Sequence, residues 1–224
     1  MSVKVVFISA KQVKSGKDLS ANYLQSFFTD LGYNCEVHAF KDKLIELAAA
    51  FVGESVEDFL EYYDSQVKDL PDFKQSIAEW ETEKWWKEVP LYRIEGSEVS
   101  KRELLIRISE EVIKPVLGKD FFGQATAKRV DNQDIIIYSD SGFAHEAIPV
   151  IEKVGKDNCL VVQLIRESYD SGINDSRKLL EPEDFPEHLR PRFVQVINQN
   201  VEDWQEVLEQ NLRLKVANKV LEGM

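Results

Sequence analysis

Cysteine, histidine and positive charge are all scarce in this chain. Only two cysteines, Cys35 and Cys159, occur in 224 residues, and both fall in apolar, strand-like runs. That argues against a disulfide scaffold, and the pair reads as buried, reduced thiols of a cytoplasmic protein. The three histidines, His38, His145 and His188, are scattered without metal-ligand spacing, which argues against a four-ligand zinc site. Lysine and arginine total 28 against 40 acidic residues, a formal charge of −12. Such a balance disfavours broad nucleic-acid binding but leaves room for a local basic pocket facing a small anion. No apolar run reaches the ~18 residues needed to span a bilayer, so no membrane partner is expected. The opening MSVKVVFISAK has too short an apolar run for a signal peptide. Repeats and low-complexity tracts are also missing.

What is present is an alternation of short apolar strands and amphipathic helices. Residues 3–9 (VKVVFIS) form a β-branched run that reads as a buried strand, followed by a basic, small-residue loop, AKQVKSGKD. Apolar residues then recur at Leu19, Tyr23, Leu24, Phe27, Phe28 and Leu31, a helical spacing closed by Gly32. Further strands are expected over 35–40, 134–138, 159–165 and 193–197. Further helices are expected over 43–52, 56–67, 73–86, 102–117, 121–130, 143–154 and 201–221. This order implies βαβ units: an α/β, three-layer α/β/α domain around a central parallel sheet of about five strands. Two segments stand out within that single domain of residues 1–224. Residues 54–130 form a long helical insertion, a lobe with two roles open to it: closure over substrate or homodimer formation. Residues 166–192 form a polar excursion too long for a routine connection and read as a lid-like segment.

The first strand–loop–helix carries the strongest chemical signal. A phosphate-binding loop needs inward-pointing backbone N–H groups, which favours small residues such as Ser15 and Gly16. It needs a following helix N-terminus, and a lysine there to reach terminal phosphates. Gly16-Lys17 directly before a helix meets the last two requirements. The strict pattern G-x-x-x-x-G-K-[ST] is broken at Lys11 and at Asp18. Asp18 offers a carboxylate where a hydroxyl usually meets magnesium. The bland alternative is a basic surface turn that caps a helix.

Ser15-Gly16-Lys17-Asp18 after an N-terminal strand resembles the loop of phage deoxynucleoside monophosphate kinases, which animal-type phosphomevalonate kinases share. The resemblance continues in order along the chain. Residues 40–53 (FKDKLIELAAAFVG) resemble the segment lining the acceptor nucleotide site. Lys101-Arg102-Glu103-Leu104-Leu105, followed by Glu110-Glu111, resembles the helix whose Arg helps hold phosphate. Lys119-Asp120-Phe121-Phe122 resembles the acidic–aromatic step that follows. Asp140, Phe143 and Glu146 match the post-strand Asp-x-Arg-Phe-x-x-Glu motif. The sequence departs from the family at Ala10, where the family has Gly, at one extra residue between Ala10 and Ser15, and at Gly142, where the family has Arg.

The resemblance implies a P-loop kinase acting in deoxynucleotide metabolism, with ATP and Mg2+ as cofactors and a nucleotide as substrate. Phosphoryl transfer asks for charge neutralisation and alignment rather than covalent chemistry. Lys17 would meet the β- and γ-phosphates, Ser15 and Gly16 would present backbone donors, and Asp18 a magnesium-shell oxygen. Asp140 would organise metal-bound water or accept a substrate hydroxyl. Arg102 and Arg107 are candidates for acceptor phosphate, and Arg166 and Arg177 for a lid that forks onto phosphate oxygens. Lys14 and Lys43 are further candidate phosphate contacts, as is Lys41. Each has an ordinary reading beside it: a helix-capping or turn residue for Asp140, solvated surface charges for the cations and for Glu146. Tyr62, Tyr63, Trp80, Trp85 and Trp86 read first as core or lobe packing, and His145 as a turn residue. Gly142 motivates two alternatives: a kinase with another phosphorylated acceptor, and a degenerate kinase fold that binds a nucleotide or a protein partner without transfer.

Overall fold

The β-branched run that opens the chain becomes the centre of a sheet. In the computed structural model, which describes residues 2–10, 15–64, 100–166, 178–199 and 201–222 (62–64 as backbone only), strand β1 spans Lys4–Ser9 and is buried along its whole length. Four more strands follow: β2 (Cys35–His38), β3 (Ile135–Ser141), β4 (Cys159–Arg166) and β5 (Arg192–Asn198). All pair in parallel, in the order β2-β3-β1-β4-β5. The expected five-strand parallel α/β architecture is therefore the fold.

Strand residues alternate between two apolar layers, because successive side chains of a strand leave opposite faces. Val6, Ile8, Ile135, Ile137, Leu160 and Val162 face one layer. They pack under helix α1 (Lys17–Asp30), through Ala21, Leu24 and Phe28, and under the C-terminal helices. Val5, Phe7, Ile136, Tyr138 and Val161 face the other layer, against Ala147, Val150 and Ile151. Phe7, Tyr138 and Phe40 stack there, with ring centroids 5.4 Å apart for Phe7–Tyr138 and 4.8 Å for Phe40–Tyr138. Each fully buried Leu, Ile or Phe contributes about 1.5–3 kcal/mol, so these two layers are what hold the sheet. Cys35 belongs to one layer and Cys159 to the other; both are buried free thiols, as expected.

Two compact units divide the chain: Met1–Phe40 with Phe122–Met224, and Lys41–Phe121. The second unit overlaps the helical lobe expected over about 54–130. The second unit holds α2 (Asp42–Val52), α3 (Val56–Asp64) and α4 (Lys101–Arg107). A π-helical stretch, Ile108–Ile113, carries α4 into α5 (Lys114–Leu117). Ser100 caps α4 by accepting the Glu103 N–H at 3.1 Å. The helix expected over 73–86, with its tryptophans, lies outside the described residues.

In the sheet unit, α6 (Phe121–Ala127) begins at the boundary and ends earlier than the expected 130. Helix α7 spans Ala144–Val154. The two helices cross tightly: a Cβ on Gly123 would lie 2.3 Å from the Glu146 carbonyl oxygen. The C-terminal helix starts as α8 (Trp204–Leu212), passes through a π-helical stretch (Arg213–Ala217) and ends as α9 (Asn218–Leu221). Of the polar excursion, 167–177 lie outside the described residues. The returning part is built into the sheet unit, with Leu180 and Phe185 buried. The Leu180 N–H donates to Ser9 Oγ at 2.9 Å, and Gln163 Nε2 donates to the Leu180 carbonyl at 2.8 Å.

Candidate functional site

A parallel sheet gathers its loops at the carboxyl ends of its strands, where neighbouring connections that diverge leave a crevice. Here β1 leads toward β2 on one side of the sheet, while its neighbour β4 leads to β5 on the other. The loop after β1 therefore leaves at the point where ligands enter such folds. Ala10, the last residue before the undescribed 11–14, is buried. Where the chain resumes, Ser15 is 1% exposed and Gly16 adopts φ 96°, ψ 20°. That left-handed conformation is open to glycine and strained for L side chains. It turns the chain directly into α1.

The bend is held from several directions. Ser20 donates both its backbone N–H and its Oγ–H to the Gly16 carbonyl, each at 2.8 Å. Amides ahead of Ser20 thus point out of the amino end of a 14-residue helix, whose dipole adds positive potential. Asn198, the last residue of β5 and 1% exposed, donates Nδ2 to the Ser15 carbonyl at 2.9 Å. A Cβ on Gly16 would come within 3.2 Å of that Nδ2 and 3.4 Å of Leu208 Cδ2. Glycine is needed here for contact as well as for conformation.

Among the described residues, two buried polar atoms at this bend have no hydrogen-bond partner, Ser15 Oγ and Asn198 Oδ1. An unsatisfied buried polar group costs about 1–3 kcal/mol, and native folds retain few of them. Their concentration beside a helix N-terminus suits a ligand that supplies hydrogen-bonding atoms. Lys17 begins α1 and is half-buried; Asp18, in the same first turn, is exposed.

Other expected residues have defined surroundings. Asp140 lies on β3, where the strand runs on to Ser141 instead of stopping at Ser139-Asp140. Register with β1 shifts there: Phe7 faces Tyr138 but Ser9 faces Ser141, one extra residue on β3. Such irregularities re-aim side chains, and Asp140 Oδ1 accepts the Phe40 N–H at 2.8 Å. Glu146 is buried, not solvated as its helical position suggested, because α6 packs across the start of α7 at Gly123. Arg166 ends β4 with its guanidinium 5.9 Å from the Trp204 ring centroid. Arg102, Arg107 and Lys43 belong to the other unit. There Arg107 pairs with Glu103, and Lys43 with Glu46 at 2.7 Å, ordinary helix-surface ion pairs. Lys101, next to Arg102, is buried, pairs with Glu54 and stands 4.5 Å over the Phe59 ring centroid. Lys14 and Arg177 lie outside the described residues.

Within the sheet unit, then, Ser15, Gly16 and Lys17 come together with Asn198, a residue that the sequence alone did not single out. Its one signal was a polar side chain closing an apolar strand. Burial pushes the Cys35 thiol up to about 12, with a smaller push from Glu36, and raises Cys159 further, so neither is a nucleophile at neutral pH. Among the described residues no group of three or more His, Cys, Asp or Glu is placed to hold a metal ion. No protein-family model matches the sequence, and no curated protein matches it.

Proposed function

We propose that this chain is an ATP-dependent phosphotransferase of the nucleoside monophosphate kinase type, moving the γ-phosphoryl of ATP to a (deoxy)nucleoside monophosphate. One observation carries the reading. At the carboxyl end of the central strand, a left-handed Gly16 and a buried Ser15 hydroxyl with no partner among the described residues lead into a helix that starts with Lys17. That set of donors fits a chain of phosphates.

In this reading the backbone of Ser15 and Gly16 cradles the β-phosphate, and the Lys17 ammonium neutralises charge that builds on the transferring group. Asp18 would hold magnesium, directly or through water. Magnesium would supply charge neutralisation for the transferring phosphoryl group. Arg166, at the end of β4, is proposed for the phosphate oxygens.

The test is ADP release on a panel of nucleoside monophosphates. Turnover with at least one of them, lost in Lys17→Ala with circular dichroism unchanged, is the expected result. Full activity in Lys17→Ala would refute the assignment. A second reading, nucleotide binding without transfer to a nucleotide, is favoured by Asp140: one of its oxygens is committed to the Phe40 N–H. Gly142, where the resembling family has Arg, points the same way. Nucleotide affinity with no ADP formed on any monophosphate would select that reading. Turnover on non-nucleotide phosphates alone would select a different acceptor.

A further inference from the structure

We infer that Asn198 is a positioning residue that clamps the Ser15–Gly16 bend in its anion-accepting shape, an inference that rests on the phosphate-binding reading above. Ser15 and Asn198 are 183 residues apart in sequence, yet Nδ2 of Asn198 lies 2.9 Å from the Ser15 carbonyl oxygen in a fully buried setting. An amide that donates to this carbonyl fixes the orientation of the planar Ser15–Gly16 peptide group. That peptide carries the Gly16 N–H, one of the proposed phosphate donors. The same amide lies in contact range of Gly16 itself, since a Cβ there would meet Nδ2 at 3.2 Å. The amide thus bonds one residue of the bend and stands where a side chain on the other would be.

Its anchorage is rigid. Asn198 ends β5 in register with Arg166 of β4, and Leu208 of α8, fully buried, lies against the same face of Gly16, 3.4 Å from where a Cβ would stand. Asn198 Oδ1 accepts no hydrogen bond. Among the described residues the side chain uses its donor and not its acceptor, and a smaller apolar residue would have filled the space without burying that acceptor. Donors aimed in advance cost no reorganisation when the charge arrives. Asn198 does not need to touch the nucleotide to act in this way.

The prediction is selective for phosphate. Calorimetry would compare magnesium–ATP with adenosine, which has the same base and sugar but no phosphates, on the full chain and on Asn198→Ala and the near-isosteric Asn198→Asp. Loss of one aimed donor is expected to weaken ATP by ~10-fold. Adenosine affinity stays within about twofold, because the clamp orients only the phosphate donors. Asp keeps the shape but sets a carboxylate against the Ser15 carbonyl, so it should weaken ATP at least as much as Ala; it serves also if the Ala variant fails to fold. Unchanged ATP affinity in a folded variant overturns the inference, as does an equal loss for ATP and adenosine, the mark of general loosening. If the unaltered chain binds no ATP, the phosphate-binding reading itself fails and takes this inference with it.

Discussion

The two edges of the sheet treat their polar groups in opposite ways. At the amino edge, Lys4 is buried but its ammonium donates to Asn158 Oδ1 at 2.8 Å. Asn158 donates in turn to the Val154 carbonyl, and Asp134 accepts the Asn34 N–H at 2.9 Å. Among the described residues no buried side-chain polar atom of that edge lacks a partner. At the carboxyl edge, Ser15 Oγ and Asn198 Oδ1 are buried and have no partner among the described residues, around a left-handed glycine. Stability alone would favour satisfying both edges equally. The difference teaches that the carboxyl edge carries unspent hydrogen-bonding capacity, the mark of a site, while the amino edge is structural.

That contrast is open to direct attack. The largest effect should follow Lys17→Ala: phosphoryl transfer is expected to fall ~1,000-fold or more, the scale for removing a charge-stabilising group from such a site. ADP release measures it, with denaturant midpoints near wild type. Next comes Gly123→Ala. The added Cβ meets the Glu146 backbone at 2.3 Å, and a helix backbone cannot swing aside. Overpacking of this kind costs about 3 kcal/mol, and urea unfolding reads it.

A smaller change sharpens the contrast from the other side. Asn158→Ala removes the acceptor of a buried ammonium at the amino edge and should cost about 1–3 kcal/mol of stability, with ATP affinity and turnover unchanged. A loss of ATP affinity in that variant would break the comparison. The smallest effect concerns the thiols. Both pKa values are raised in the folded protein, by burial above all, from 9.0 to about 12 for Cys35. Their stabilising contribution is complete below pH 9, where folded and unfolded thiols are both protonated. It declines as pH rises toward 12, because the unfolded thiol releases its proton first. Denaturant midpoints between pH 8 and 10.5 should therefore fall less in Cys35→Ala than in wild type.

Much of the architecture was legible in short-range pattern. Runs such as VKVVFIS and CLVVQLI are too apolar for half-exposed strands, and burial on both faces is what a parallel sheet requires. The first helix closes at Gly32 as its spacing predicts. Ser15-Gly16-Lys17 was legible because its chemistry is local: a small residue, a glycine and a lysine at one helix start. What sequence could not disclose depends on strand order. Asn198 meets Ser15 only because β5 ends beside the loop after β1, across 183 residues. Glu146 is buried by a helix from a different segment, packed through Gly123. The extra residue in β3 exists only relative to its pairing with β1. The unit boundary at Lys41 follows from packing of α2 with the later helices, which composition does not encode.

The most direct measurement is a crystal structure of the chain grown with magnesium and a non-hydrolysable ATP analogue. The account predicts the triphosphate seated on the amino end of α1, within hydrogen-bond reach of the Gly16 N–H and Ser15 Oγ, with the Lys17 ammonium against the terminal phosphates. A triphosphate bound elsewhere, or a bend that abandons the left-handed Gly16 to admit it, would contradict the account.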